Sequence, residues 1–173
     1  MVVASACAIS NGMDKQKLTK FSLDFLRKQK IAFVSTVSAQ GDPQVAMIYC
    51  AVDDDFTFNF ITTSGSRKFQ NIKNNPHVAI AVGSPEDLIT IQCGGHAVLV
   101  DYGNTDVRRG GEIIHKVMSQ AGLTNSPEWP VLLSFPKTEL GLFTVKPDWM
   151  VLLDLNYKKD PDNYAHEYQV VLP

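Results

Sequence analysis

Between Asp14 and Gln29, Leu18, Phe21, Phe25 and Leu26 recur on one helical face and lysines cover the rest. Asp14 is placed to cap that helix. The period then changes. Ile31 to Val37 is β-branched and apolar, and Gln44 to Val52 is a second strand beyond the turn signal Gln40-Gly41-Asp42-Pro43. Asp53-Asp54-Asp55 reads as a solvated hairpin tip, and Phe56 to Thr63 alternates as a half-buried strand. Arg67 to Asn74 is a short helix stopped by Asn75-Pro76.

His77 to Gly83 is apolar enough for a strand buried on both faces. Leu88 to Val100 is a long strand, in which Gly94-Gly95 suggests a bulge or a close approach. Thr105 to Ala121 repeats helical spacing through Val107, Ile113, Ile114, Val117 and Met118. Leu140 to Val145 and Trp149 to Leu155 read as two strands hinged at Lys146-Pro147-Asp148, and Tyr168 to Leu172 as an edge strand. About seven strands with hairpin connections and no βαβ alternation predict a mainly β fold, a small antiparallel barrel with flanking helices. One domain spans 14–157, between an N-terminal tail or dimer-contact arm at 1–13 and a C-terminal tail at 158–173.

Composition narrows the function. A net charge of −2 gives no footing for nucleic-acid or membrane-surface binding. Cys7, Cys50 and Cys93 lack metal-like spacing and read as reduced thiols of a cytoplasmic protein. Cys50 and Cys93 lie in apolar strands and read as packed thiols. No metal site is expected, since no two of His77, His96, His115 and His166 have ligand spacing. No run approaches the roughly 20 apolar residues of a membrane helix, and the first residues lack the basic region of a secretory signal.

One segment points to chemistry. In FITTSGSRKFQNIKNNP, Phe60 to Pro76, a strand ends on Thr62 and Thr63, a small turn follows, and Ser66-Arg67-Lys68 opens a helix. Hydroxyls, first-turn N–H groups and two cations together can hold a phosphate. Taken alone, Ser66 can equally be a helix cap beside two solvated cations.

The wider stretch FVSTVSAQGDPQVAMIYCAVDDDFTFNFITTSGSRKFQNIKNNPHVAIAV resembles the FMN-binding split-barrel family, also called pyridoxamine 5′-phosphate oxidase-like. The resemblance is strong from Ile31 to Val100 and weaker to Leu155. It implies an antiparallel split barrel of six to eight strands, a homodimer, and FMN in clefts at the dimer interface. The flavin-contacting strand matches Gln44, Val45, Ala46, Met47, Ile48 and Tyr49, and the next contact matches Ile61-Thr62. The phosphate-binding pair matches Arg67 and Lys68, next to Thr63 and Ser66. A flavin-contacting glutamine of the oxidases falls on Thr90. Trp149 lies where a late strand can approach the partner's flavin, although a buried core tryptophan is the other reading.

The resemblance also shows gaps. The regions that hold the vitamin phosphate in true oxidases read GNTDVRRGGEIIHKV and HEYQVVLP here. Arg108 and Arg109 stand in a different pattern, the terminal arginine is missing, and Tyr49 replaces a basic residue. Vitamin B6 oxidation is therefore not expected. The resemblance implies an FMN flavoprotein, an oxidoreductase acting on an unidentified small molecule. A non-catalytic flavin-binding protein and an F420- or haem-binding relative, with His96 near the cofactor, are the alternatives. No acid–base constellation stands out, and a flavin protein needs none because its cofactor carries the redox chemistry.

Overall fold

The computed structural model describes residues 14–100, 107–124, 139–155 and 168–172. The 1–13 tail and most of the 158–173 tail lie outside those residues. Helix α1 spans Lys15–Lys28, strands β1 to β3 span Ile31–Val37, Pro43–Val52 and Phe58–Thr63, and α2 spans Arg67–Asn74. Then come β4 (His77–Ser84), β5 (Ile89–Leu99), α3 (Val107–Ala121), β6 (Leu140–Asp154) and β7 (Tyr168–Leu172).

The strand order is β3-β2-β1-β4-β5-β6-β7, and β3 also pairs with β6, so six antiparallel strands close into a barrel with β7 added on β6. Closure removes the edges that an open sheet would expose. Phe58, Phe60, Ile80, Ile91, Phe143, Met150 and Leu152 fill the interior, each under 3% exposed. Burying each stabilises the fold by roughly 1.5–3 kcal/mol. Helix α1 lays Leu18, Phe25 and Leu26 on this core. Asp14 stands at its N-cap position, but its side chain makes no capping bond.

A second cluster packs Ile113, Val117 and Met118 of α3 on Ala51 and Leu142. Gln120 fixes that helix. Its Nε2 donates to the carbonyls of Leu26 (3.2 Å) and Gln29 (3.1 Å), and its Oε1 accepts from Val52 N–H at 3.2 Å.

Several expectations need correction. Leu140 to Leu155 is not two hinged strands: β6 runs unbroken from Leu140 to Asp154. The bend is taken up by a bulge, with Gly94 opposite Trp149 and Gly95 opposite Pro147, leaving Asp148 as the extra residue. A Cβ on Gly95 would overlap the Lys146 carbonyl oxygen, so glycine is required there. Trp149 is not core. It is 42% exposed, its indole lying over Gly94, where a Cβ would sit 2.5 Å from Nε1.

Strand β4 is buried on one face only, because its outward positions carry His77, Ala79 and Gly83. Strand β3 is buried on both, because α3 packs near it and Asn59 is held by Asp53 at 3.0 Å. The three aspartates are also not simply solvated: Asp53 pairs with Lys116 at 2.6 Å, Asp54 with Arg27, and Asp55 with Lys146 at 3.2 Å.

Candidate functional site

Strand β3 ends at Thr63, and Ser66 N–H donates to the Thr63 carbonyl at 3.1 Å, closing the turn. Ser66 then caps α2, its Oγ accepting from Phe69 N–H at 3.3 Å. Thr62 is buried, and its hydroxyl lies 2.9 Å from Ser66 Oγ. The N–H groups of Arg67 and Lys68, in the first turn, have no intrahelical acceptor. The helix is held in place by Phe69, whose ring packs edge-on against Phe143 with centroids 5.6 Å apart. Gly141 makes room, since a Cβ there would sit 2.5 Å from the Phe69 ring.

Seated this way, α2 opens beside the start of β2. A cleft of about 270 Å³ is lined by Thr36, Gln44, Val45, Ala46, Ser66, Arg67 and Lys68. Six of the residues expected from the sequence, Gln44, Val45, Ala46, Ser66, Arg67 and Lys68, thus meet in one place. Thr62 stands behind them through Ser66. Among the described residues neither Arg67 nor Lys68 forms an ion pair, so the cleft is electropositive. Hydroxyls, an amide, unpaired N–H groups and two cations suit an oxyanion of about two charges.

The other expected residues sit elsewhere. Met47 is 57% exposed farther along β2, Thr63 is exposed at the end of β3, and Ile61 packs on the α3 cluster. Thr90 lies on β5 beside Gly83, with β1 and β4 between it and β2, and Trp149 is on β6. Within one chain none of these lines the cleft. His96 is a surface strand residue, its ring 4.1 Å from that of His77 and its Nδ1 3.2 Å from Asp148 Oδ2. No group of three or more possible metal ligands occurs among the described residues.

Two residues of the site were not anticipated. Thr36 is 2% and Asn71 7% exposed. Asn71 Nδ2 donates to Thr36 Oγ1 at 2.9 Å and to Gln44 Oε1 at 3.1 Å. The available signal was an asparagine beside Ile72 on the buried side of a short helix, where a polar group needs partners.

A larger open hollow of about 730 Å³ lies at the Val52 end of β2, lined by Arg27, Asp53 to Asp55, His115, Lys116 and Gln120. Its acids are already paired. The Thr57 hydroxyl and N–H, with a smaller contribution from Lys146, hold the Asp55 carboxyl below its ordinary range. Cys50 and Cys93 are buried, and burial pushes both thiols up to about 12, so neither is a nucleophile. No helix among the described residues is long and apolar enough to cross a membrane.

The family model described as pyridoxamine 5′-phosphate oxidase matches residues 18–127, well over half of the chain. No curated protein matches the sequence. Among solved structures, a pyridoxamine 5′-phosphate oxidase-related, FMN-binding protein from Nostoc punctiforme superposes with a TM-score of 0.60 at 18% identity. That match covers 96% of this chain and 100% of the other. HutZ, the haem storage protein from Vibrio cholerae, gives 0.61 at 19% identity over 82% and 95%. An F420 reductase gives 0.57 at 24% identity over 73% and 93%. At these identities the likeness establishes the fold.

Proposed function

The chain belongs to the pyridoxamine 5′-phosphate oxidase family, and on that premise we propose that it is an FMN-binding flavoprotein, an oxidoreductase acting on a small molecule. The observation that carries this reading is the convergence of Ser66, Arg67 and Lys68 with Gln44, Val45 and Ala46 around one electropositive cleft. Arg67 would grip the phosphate with its forked donors and Lys68 would add a point charge. Ser66 and the open N–H groups of the first turn would fill the remaining acceptor positions. The backbone of Gln44 to Met47 would face the ring edge. Bound there, the flavin would supply the hydride or electron transfer.

The cleft of one chain falls just short of the roughly 300–1,000 Å³ that usually encloses a small-molecule ligand. A second wall is needed. The bare sheet face beside the cleft carries Val45 at 69%, Met47 at 57% and Phe33 at 50% exposure, an apolar surface suited to a second copy of the chain. That face supports our reading of a homodimer with shared cofactor clefts. Trp149 and Thr90 would then serve the flavin of the partner copy. Buried free thiols at Cys50 and Cys93 suit a reducing compartment such as the cytoplasm.

The test is an absorption spectrum of the purified protein with mass spectrometry of the released cofactor, alongside sedimentation. Flavin bands near 370 and 450 nm, roughly those of free flavins, and a dimer are expected. A protein that is colourless and takes up no added FMN overturns the reading. Released F420 or a haem Soret band would transfer the site to the chemistry named for the F420 reductase or for HutZ.

A further inference from the structure

Thr36 and Gln44 face each other across the β1–β2 ladder, and Asn71 of α2 reaches both. An amide nitrogen carries two hydrogens, and Asn71 commits both, one to Thr36 Oγ1 and one to Gln44 Oε1. The acceptor end of Gln44 is therefore occupied by the protein. Its donor end, Nε2, makes no hydrogen bond among the described residues, and Gln44 is one of the residues that line the cleft.

We infer that Asn71 is a positioning residue that fixes Gln44 as a pure donor on the cleft wall, so that this wall selects a ligand by its phosphate oxygens. The inference rests on the reading that the cleft takes a phosphate ester. It adds what that reading lacks: a reason for a buried asparagine under the helix, and a role for the Gln44 side chain as well as its backbone. Ser66, Arg67 and Lys68 approach the anion from the helix side, and Gln44 Nε2 approaches it from the strand side. An acceptor turned into the same space would oppose the phosphate. Asn71 prevents that, because the Gln44 carbonyl is engaged beneath the helix, where Asn71 is buried.

The decisive variant is Asn71→Asp, close in size but able only to accept. Gln44 must then turn its Nε2 inward and present its carbonyl oxygen to the ligand. FMN affinity is expected to fall about 10- to 100-fold, with riboflavin, which lacks the phosphate, changing little. Because Asp also adds charge, the same substitution is made in a Gln44→Leu background, as a double-mutant cycle. If Asn71 acts through Gln44, Asn71→Asp costs clearly less FMN affinity there than in the wild-type background, what is left being the effect of the added charge. An equal loss in both backgrounds, or equal losses for FMN and riboflavin, overturns the inference and leaves the flavin reading intact.

A wild-type measurement covers the case in which the variant does not fold. The side-chain amide protons of Gln44, observed by NMR during titration with inorganic phosphate, should shift. If they do not, the inference falls. If the protein takes no FMN yet those protons shift with phosphate, the flavin reading fails and Gln44 stands as a phosphate donor held by Asn71.

Discussion

At the Val52 end of β2, three aspartates meet three cations drawn from α1, α3 and β6. At the Gln44 end, Arg67 and Lys68 meet no acid among the described residues. Some eight residues of extended strand, about 27 Å, separate the two ends. The first end is electrically complete and contributes to folding. The second leaves two cations without an ion-pair partner among the described residues. The larger hollow therefore belongs to the end with the weaker case for binding: volume marks where space exists, and unmatched charge marks where a ligand is wanted.

The sharpest way to break this comparison is Arg67→Ala with Lys68→Ala. Each charge-assisted bond to a phosphate contributes roughly 1.5–3 kcal/mol, so FMN affinity should fall by several kcal/mol in fluorescence titration. Thermal stability should barely move, because neither side chain has an ion pair to lose among the described residues. Unchanged affinity would refute the phosphate site.

A smaller effect, about 1–3 kcal/mol of stability, is expected for Gly141→Ala, because the added methyl collides with the Phe69 ring. Helix α2 would shift on the barrel, lowering both the melting temperature and FMN affinity. Loss of stability with full affinity would show that the cleft does not depend on how α2 is seated.

The mildest test neutralises the other end. Asp53→Asn with Asp54→Asn and Asp55→Asn should cost about 0.2–1 kcal/mol per pair, since exposed ion pairs contribute little. FMN affinity should not change. The pH dependence follows from Asp55, whose carboxyl titrates below its ordinary 3.8 in the folded chain. Its contribution is complete above that value and is lost as pH falls through the lower folded one. The triple variant should therefore lose less stability than the wild type when chemical denaturation is compared at pH 5 and near pH 3, roughly on either side of carboxylate titration. An equal loss would assign the acid sensitivity to other carboxylates.

Much of this was readable from the chain. Alternation and turn residues located the strands and helices to within a residue or two, except that the single strand Leu140–Asp154 was read as two. Gln44 to Ala46 and Ser66 to Lys68 could be placed at one site because the stretch that carries them resembles the FMN-binding split-barrel family. What stayed hidden depends on the closing of the barrel. The partners of Asp53, Asp54 and Asp55 come from elements up to 91 residues away. Asn71 was hidden for the same reason. Its hydrogen-bond partners lie 27 and 35 residues away in sequence, and nothing local announces them. Trp149 resisted because a large aromatic is by default a core residue, and the bulge that turns it outward over Gly94 forms only when β5 and β6 pair.

The single extra residue Asp148 has a consequence out of proportion to its size. Before it, odd-numbered residues of β6 point inward, as Phe143, Val145 and Pro147 do; after it, even-numbered ones do, as Met150 and Leu152 show. Asp148 thus inverts the parity of the strand. Deleting it would confront the following segment with a choice between a broken ladder and a one-step slip that sends Trp149 into the barrel and Met150 out. One surplus aspartate thereby holds the Trp149 indole on the outer face of the sheet.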